Sequence, residues 1–345
     1  LYSDRPHARC GHRPHGGYVD DILRIEDLRV YYHERERTVK AVDGVDLALS
    51  RGRTLAIVGE SGCGKTTVAL ATLGLVPKPG VVESGRVIYE GRDLYALPPN
   101  ELRAIRGRRV SMIFQDPVSG LNPVLNIGGQ VEEMIRTHLD VPKRESRRMA
   151  AEALRRQGLS EVDRLMNAYP FQLSGGMCQR VMIAIATVLH PDVIIADEPT
   201  SALDVTVQAG ILRELNELKR NLGISIVLIA HDLGVVAQMA DDMAVMYAGR
   251  IVEQGDVRDV FAHPTHPYTS ALLAARPRLD GDRQPLQAIR GAPPDLAELT
   301  GECAFLPRCP KAITACRTDP WPPLRTAESG HPVAGYNPMF VGSGL

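Results

Sequence analysis

The sequence predicts an α/β fold with a mainly parallel central sheet, on three observations. Five short apolar, β-branched runs stand between polar turns: TLAIVG (54–59), RVSMIFQ (109–115), VIIAD (193–197), SIVLIA (225–230) and MAVMY (243–247). Runs without alternation suit parallel strands covered on both faces. A glycine-rich turn, GESGCGKTT (59–67), follows the first run and leads into the helix-compatible TVALATLGL. Between Gln115 and Leu173 the strand signal stops, and GQVEEMIRTHL and RRMAAEALRRQGL show helical spacing instead.

The elements follow in order. Residues 1–20 are rich in His, Arg, Pro and Gly without periodicity and read as a disordered leader. ILRIEDLRVYY and VKAVDGVDLALS then alternate, which predicts an N-terminal antiparallel β-layer ahead of the glycine-rich turn. One α/β domain is expected over 21–262, with a helical subdomain inserted at about 116–172. After that the composition changes to HPTHPYTSALLAARP and Pro- and Gly-punctuated sequence, so a small, mostly irregular C-terminal domain is assigned to 263–345. No internal repeat is visible, which argues for one unit rather than a tandem pair.

Composition narrows the partners. In 345 residues, 40 Lys and Arg meet 41 Asp and Glu, a net charge of -1. That balance makes no electrostatic case for nucleic acid or an anionic bilayer surface. The longest apolar runs have strand length, well short of the roughly 20 residues of a membrane span. LYSDRPHARCGHRPHGG at the start lacks the apolar core of a signal peptide, so a cytosolic location is expected. The six cysteines, Cys10, Cys63, Cys178, Cys303, Cys309 and Cys316, are then expected as reduced thiols or ligands.

GESGCGKTT fits the G-x-x-x-x-G-K-[ST] pattern in its proper setting, after a strand and before a helix. Gly59, Gly62 and Gly64 let backbone N–H groups converge on phosphate oxygens, and the helix N-terminus adds its dipole. Glu60, Ser61, Cys63 and Thr67 complete the predicted nucleotide cradle, with Cys63 as a small spacer. Lys65 would neutralise the β- and γ-phosphates and Thr66 would ligate Mg²⁺. Asp197 closes the run VIIAD, where a carboxylate can hold Mg²⁺, and Glu198 can act on an attacking water as general base or orienting group. Alone, two adjacent acids would read as a solvated strand end. They have company, because Gln115 and His231 also end strands on the edge where the glycine turn sits. The amide of Gln115 can touch Mg²⁺ or the water, and the imidazole can hydrogen-bond the γ-phosphate.

With LSGGMCQR at 173–180, these motifs resemble those of the nucleotide-binding subunits of ABC transporters, over roughly residues 22–262. The resemblance implies a P-loop NTPase fold of the ABC type that hydrolyses ATP in a head-to-tail dimer. Ser174, Gly175 and Gly176 would bind the ATP held by the opposite subunit, and SALD at 201–204 resembles the D-loop. Cys178 departs from the polar or basic residue usual there, while Gln179 and Arg180 match, so no loss of function is expected. The family stacks adenine on an aromatic residue of the first β-layer; Tyr32 is preferred to Tyr31 by its distance from Leu28.

FAHPTHPYTSALLAARP (261–277), IRGAPPDL (289–296) and CAFLPRCPKAITAC (303–316) look like the C-terminal region of oligopeptide/dipeptide import ATPases, a group that includes nickel importers. SGLNPVLNIGGQ is similar to that group too. The resemblance implies a second ATPase subunit, identical or not, two membrane-spanning permeases, an extracytoplasmic solute-binding protein, and a place on the cytoplasmic face of the membrane. Peptide import is the expected role; nickel or another solute is the alternative cargo. A soluble ABC ATPase acting on nucleic acid or ribosomes lacks its usual second cassette, coiled coil or basic insertion here.

The same resemblance implies a [4Fe-4S] cluster on four cysteines of the C-terminal segment. Cys303, Cys309 and Cys316 are present, but Gly335 in HPVAGY stands where the fourth would be. Three readings stay open at this point: a cluster completed by a ligand such as His331 or a small molecule, a Cys3His zinc site, or buried thiols without metal.

Overall fold

In a computed structural model of the chain, residues 21–201, 204–275, 288–326 and 330–339 are described; the expected leader lies outside them. Two long alternating segments open the fold, β1 (Asp21–His33) and β2 (Thr38–Ser50), paired antiparallel from Asp21↔Ser50 to His33↔Thr38. β3 (Thr54–Val58) is buried along its whole length and runs through the glycine-rich turn into α1 (Lys65–Thr72). β4 (Gly80–Tyr89) returns to pair with β1, and β5 (Arg92–Asp93) closes a four-stranded antiparallel layer in the order β2-β1-β4-β5. After α2 (Pro99–Ile105), β6 (Val110–Ile113) joins a different sheet. It is shorter than the run RVSMIFQ suggests, and Gln115 lies two residues past its end.

Four helices follow: α3 (Ile127–His138), α4 (Lys143–Arg156), α5 (Val162–Leu165) and α6 (Gly175–Thr187). They share a core of Ile127, Val131, Ile135, Leu154, Val181 and Ala184, so α6 belongs to the helical cluster on one side. Its other side packs Met182, Ile183 and Ala186 against the central sheet. β7 (Val193–Asp197), α7 (Val205–Leu222), β8 (Ser225–Ala230), α8 (Leu233–Met239), β9 (Asp242–Tyr247) and β10 (Arg250–Asp256) complete the alternation. Short polar side chains start the helices: Asn126, Ser174, Asp204 and Asp232 each accept a backbone N–H of the first turn. Gly223, left-handed at φ 68, ends α7.

The central sheet has the order β11-β12-β10-β9-β3-β8-β7-β6, parallel from β9 to β6. Its faces feed two cores. Leu55 and Ile57 of β3 with Val227 and Ile229 of β8 point into the core shared with the antiparallel layer. Ala56, Val58, Ile226 and Leu228 point into the core under the helices. Both faces are therefore dry, which is why these strands read as unbroken apolar runs.

The C-terminal part is less irregular than its composition suggests. After α9 (Val257–Ala262), which closes the larger domain, it contributes α10 (Pro267–Ala274), α11 (Ala315–Thr318), β11 (Arg325–Thr326) and β12 (Pro332–Val333). β12 pairs with β10 at Glu253↔Val333, so the end of the chain extends the central sheet. Strands of two residues carry no periodicity that a sequence can display. Among the described residues no helix is long and apolar enough to cross a membrane.

Glu214 on α7 offers a test of the packing between α7 and α6. Burial pushes its carboxyl from 4.5 up to about 7, opposed by Arg180 and a Gln157 hydrogen bond, with Glu217 adding to the rise. A raised carboxyl stabilises the fold fully below its unfolded pKa and loses that contribution as pH rises through the folded value. Glu214→Gln is therefore expected to stabilise the protein at pH 8 by on the order of 1 kcal/mol, after allowance for partial exposure, and to change little near pH 4. Urea unfolding at the two pH values checks this; equal shifts at both would contradict it.

Candidate functional site

The site is built by strand ends in register. Val58 of β3 pairs with Ala230 of β8, Asp197 of β7 with Ile229, and Ile113 of β6 with Ala196. The chain leaves these four parallel strands at one edge of the sheet, where ligands of open α/β sheets bind. Gly59, Gln115, Glu198 and His231 stand in the segments just beyond.

Two neighbouring strands press on the glycine-rich turn. A Cβ on Gly59 (φ 155) would lie 2.1 Å from the Met246 carbonyl oxygen, and one on Gly64 (φ 106) 2.0 Å from that of Ala41. Only glycine fits between these backbones. The turn delivers Lys65 to a position 6% exposed, its Nζ donating to the carbonyls of Gly59 (2.8 Å) and Glu60 (2.9 Å). Ser61, Gly62 and Thr66 are exposed and Thr67 half-buried at the mouth of the turn. Cys63 is buried, and burial pushes its thiol up, away from thiolate character and in keeping with a spacer role. Glu60 is tied down: its N–H donates to the Tyr268 hydroxyl (2.9 Å), and Arg308 bonds both carboxylate oxygens (2.6 and 2.8 Å).

Asp197 is 1% exposed and its Oδ1 is buried without a hydrogen-bond partner. Burial pushes its carboxyl up; a hydrogen bond with Thr66 opposes this, the Glu198 charge adds to it, and Lys65 opposes it. A buried, unpaired carboxylate oxygen beside a threonine hydroxyl is a donor set suited to a hard divalent cation such as Mg²⁺. Glu198 follows in the left-handed region (φ 45), a conformation that a non-glycine residue adopts only when its surroundings hold it there. Its N–H donates to the Ile229 carbonyl, and its Oε2 accepts from Gln115 Nε2 at 2.8 Å and lies 3.3 Å from His231 Nδ1. Gln115, Glu198 and His231 thus meet at one carboxylate oxygen.

Ser174, Gly175 and Gly176 have neighbours outside this cluster. Ser174 Oγ caps its own helix by accepting from the Met177 N–H at 3.4 Å, Gly175 faces open space, and a Cβ on Gly176 would lie 3.4 Å from Val207 of α7. Gln179 Nε2 donates to the Pro199 carbonyl (2.7 Å), linking α6 to the segment after Glu198; Arg180 donates to Gln157 (2.6 Å). Cys178 is fully buried, Sγ 3.6 Å from the Pro170 carbonyl, so its place is in the helical core. Of SALD, positions 202 and 203 lie outside the described residues, and Asp204 caps α7. Tyr31 commits its hydroxyl to Asp43 (2.6 Å), leaving half-buried Tyr32, packed at Gly80, as the aromatic residue of that hairpin without such a tie.

The C-terminal cysteines show no ready-made metal site among the described residues. Burial raises the thiols of Cys303 and Cys309, with Cys316 raising both and Cys309 adding at Cys303, so the three lie near one another. Even so, among the described residues no group of three or more His, Cys, Asp or Glu is arranged to hold a metal ion. His331 does not complete one: its Nε2 is 2.6 Å from Glu253 Oε1 and 3.2 Å from Thr265 Oγ1, which turns it into the β10 contact. Gly335 offers no ligand, and a Cβ there would meet only His266, at 3.8 Å. Cys316 is buried, while Cys303 and Cys309 are half-buried against the helical core, and with no fourth thiolate at Gly335 the described residues give a [4Fe-4S] cluster no support.

Arg308 and Tyr268, which fix Glu60, escape sequence reasoning because they lie more than two hundred residues from the turn they hold. The carbonyls of Ala41 and Met246 escape it too, since backbone contacts leave no residue signature.

Comparison with known proteins adds the following. Residues 42–201 match the family model described as ABC transporter, and residues 252–316 that of the oligopeptide/dipeptide transporter C-terminal region. The chain is 46% identical over 316 residues to the oligopeptide transport ATP-binding protein AppD of Bacillus subtilis, covering 91% of this chain and 96% of that protein. It is 44% identical to the oligopeptide transport ATP-binding protein OppD of Escherichia coli, covering 93% and 94%. Among solved structures it is similar to the dimeric ATP-binding cassette MJ0796 in a post-hydrolysis state bound to ADP and Pi. The TM-score is 0.62 at 29% identity, over 68% of this chain and 99% of that one.

The carbonyl contact at Gly64 yields a prediction. Gly64→Ala forces a methyl into the Ala41 carbonyl at an unfavourable φ, so a cost of about 2–4 kcal/mol and loss of nucleotide binding are expected. Thermal melting with and without ATP and Mg²⁺ checks it. A variant that melts like the parent and is equally stabilised by nucleotide would contradict it.

Proposed function

The chain belongs to the ABC transporter family of ATP-binding subunits, and from that premise we propose that it powers import of di- or oligopeptides through partner permeases. The observation that supports this reading best is that one chain joins the Glu198 cluster to a C-terminal region like that of oligopeptide/dipeptide transporters. The working unit is a pair of cassettes beneath two membrane-spanning permeases on the cytoplasmic face, fed by a solute-binding protein.

Each residue then has a task. The N–H groups from Gly62 to Thr67 receive phosphate oxygens, and Lys65 turns its ammonium from the Gly59 and Glu60 carbonyls to the β- and γ-phosphates. Thr66, Asp197 and Gln115 would hold Mg²⁺, which when bound neutralises charge on those phosphates. Glu198 orients and deprotonates the attacking water, and Gln115 and His231 hold its carboxylate in place. His231 also hydrogen-bonds the γ-phosphate. Tyr32 stacks on adenine. Ser174, Gly175 and Gly176 act on the nucleotide of the opposite cassette.

Two outcomes are expected. Glu198→Gln keeps the phosphate cradle and removes the base, so ATP affinity stays near the parent's while turnover falls by about 10²-fold or more. Equilibrium binding and steady-state hydrolysis measure both, and parent-rate hydrolysis would contradict the assignment. In the importer reconstituted with its permeases and binding protein, short peptides are expected to stimulate hydrolysis. Stimulation by nickel salts and not by peptides would overturn the cargo.

A further inference from the structure

The C-terminal segment reaches the nucleotide side of the cassette through a group that hydrolysis does not use. Arg308, in the turn between Cys303 and Cys309, has a side chain only 4% exposed. Its guanidinium donates from Nη1 to Glu60 Oε2 (2.6 Å) and from Nη2 to Glu60 Oε1 (2.8 Å), the parallel two-bond pairing that is among the strongest side-chain contacts. Nη1 also reaches the Tyr247 hydroxyl (3.3 Å), and Nε donates to the Arg290 carbonyl (2.9 Å). Behind it Tyr247, Tyr268 and Phe305 pack ring on ring, with centroids 4.5 to 5.4 Å apart. Tyr268 comes from that same aromatic group and accepts the Glu60 N–H.

Glu60 is thus gripped at its backbone by Tyr268 and at its carboxylate by Arg308, both from beyond residue 262. What is gripped bears directly on the phosphate loop. The Glu60 carbonyl accepts from Lys65 Nζ and also from the Cys63 N–H (3.3 Å), so a turn of the Glu60 peptide moves partners of both. A second strand of contacts runs to the β1–β2 hairpin that carries Tyr32: Lys40 N–H donates to the Leu296 carbonyl (3.3 Å), and Arg37 Nη1 lies 3.4 Å from Asp295. The hairpin contact is exposed and weak. The Arg308 pair is part-buried, two-pronged and backed by packed rings, so it is the stronger of the two links.

We propose that Arg308 is a positioning residue for ATP hydrolysis: by clamping Glu60 it holds the phosphate loop in its receptive conformation, so that the C-terminal segment sets the cassette's affinity for ATP. This rests on the ATPase reading and goes beyond it by giving the C-terminal segment a part in the catalytic cycle. The clamp touches no substrate atom. Its effect belongs in binding and KM, while the Glu198 step proceeds once nucleotide is seated.

The test uses the full chain in its assembled importer, with purified full chain for equilibrium binding of ATP and Mg²⁺. Arg308→Met is expected to raise KM and the dissociation constant for ATP by about tenfold or more while lowering kcat less. Arg308→Lys restores charge without the two-bond fork, and an intermediate KM is expected. Arg308→Met leaves the Glu60 carboxylate without its partner, so folding is safeguarded by the double variant Glu60→Gln/Arg308→Met, which leaves no charge unpaired. That variant is expected to regain melting temperature but keep the raised KM. An unchanged KM in the double variant, or in Arg308→Met with only its melting temperature lowered, would overturn the proposal and leave the pair as an anchor for the C-terminal segment. Parent protein without ATPase activity in the same assay would instead sink the ATPase reading.

Discussion

The strand register at one edge of the central sheet is the constraint on which the rest depends. β3, β8, β7 and β6 end in step, with Val58 opposite Ala230 and Asp197 opposite Ile229. Because both faces of the sheet are buried, a slip of one residue would drive Ile57 and Ile229 into the helical core and Ala56 and Leu228 into the opposite one. Hydrophobic packing therefore fixes the register, and the register carries the loop residues to within reach of one another. The contacts of Gln115 and His231 with Glu198 follow from strands whose only evident business is to stay dry.

That edge also gathers several strained or unpaired groups. Asp197 keeps an unpaired oxygen in a nearly closed space, Glu198 sits at a positive φ, and two glycines take carbonyls at distances no Cβ could tolerate. Strain and unpaired polarity of this kind cost on the order of 1–3 kcal/mol each and persist where the surroundings over-determine them. Here the surroundings are the two cores on either side of the sheet. A bound cation would give the Asp197 oxygen the partner it lacks, while the strained backbone positions stay held by packing alone.

The fold was legible because its signals are local and repeated. Alternation marked the antiparallel layer, unbroken apolar runs marked the parallel strands, and helical spacing marked the segments around α3 and α4. The same strand ends made Lys65, Asp197, Glu198, Gln115 and His231 readable as candidates. Other features were silent for physical reasons. β12 is two residues long, Arg308 meets Glu60 across the whole length of the cassette, and the cysteine spacing could not say whether three thiols without a fourth still converge on a metal. Each depends on tertiary placement of single residues, which leaves no pattern along the chain.

The C-terminal segment and the cassette are joined at Glu60 and at the sheet edge beside β10. The most direct test is a structure of the assembled importer carrying Glu198→Gln with ATP and Mg²⁺. The account predicts the γ-phosphate within hydrogen-bond distance of Lys65 Nζ and His231, Mg²⁺ against Thr66 and Asp197, and Ser174 to Gly176 on the nucleotide of the opposite cassette. A nucleotide bound away from the Gly59–Thr67 turn, with Lys65 still on the carbonyls of Gly59 and Glu60, would contradict it.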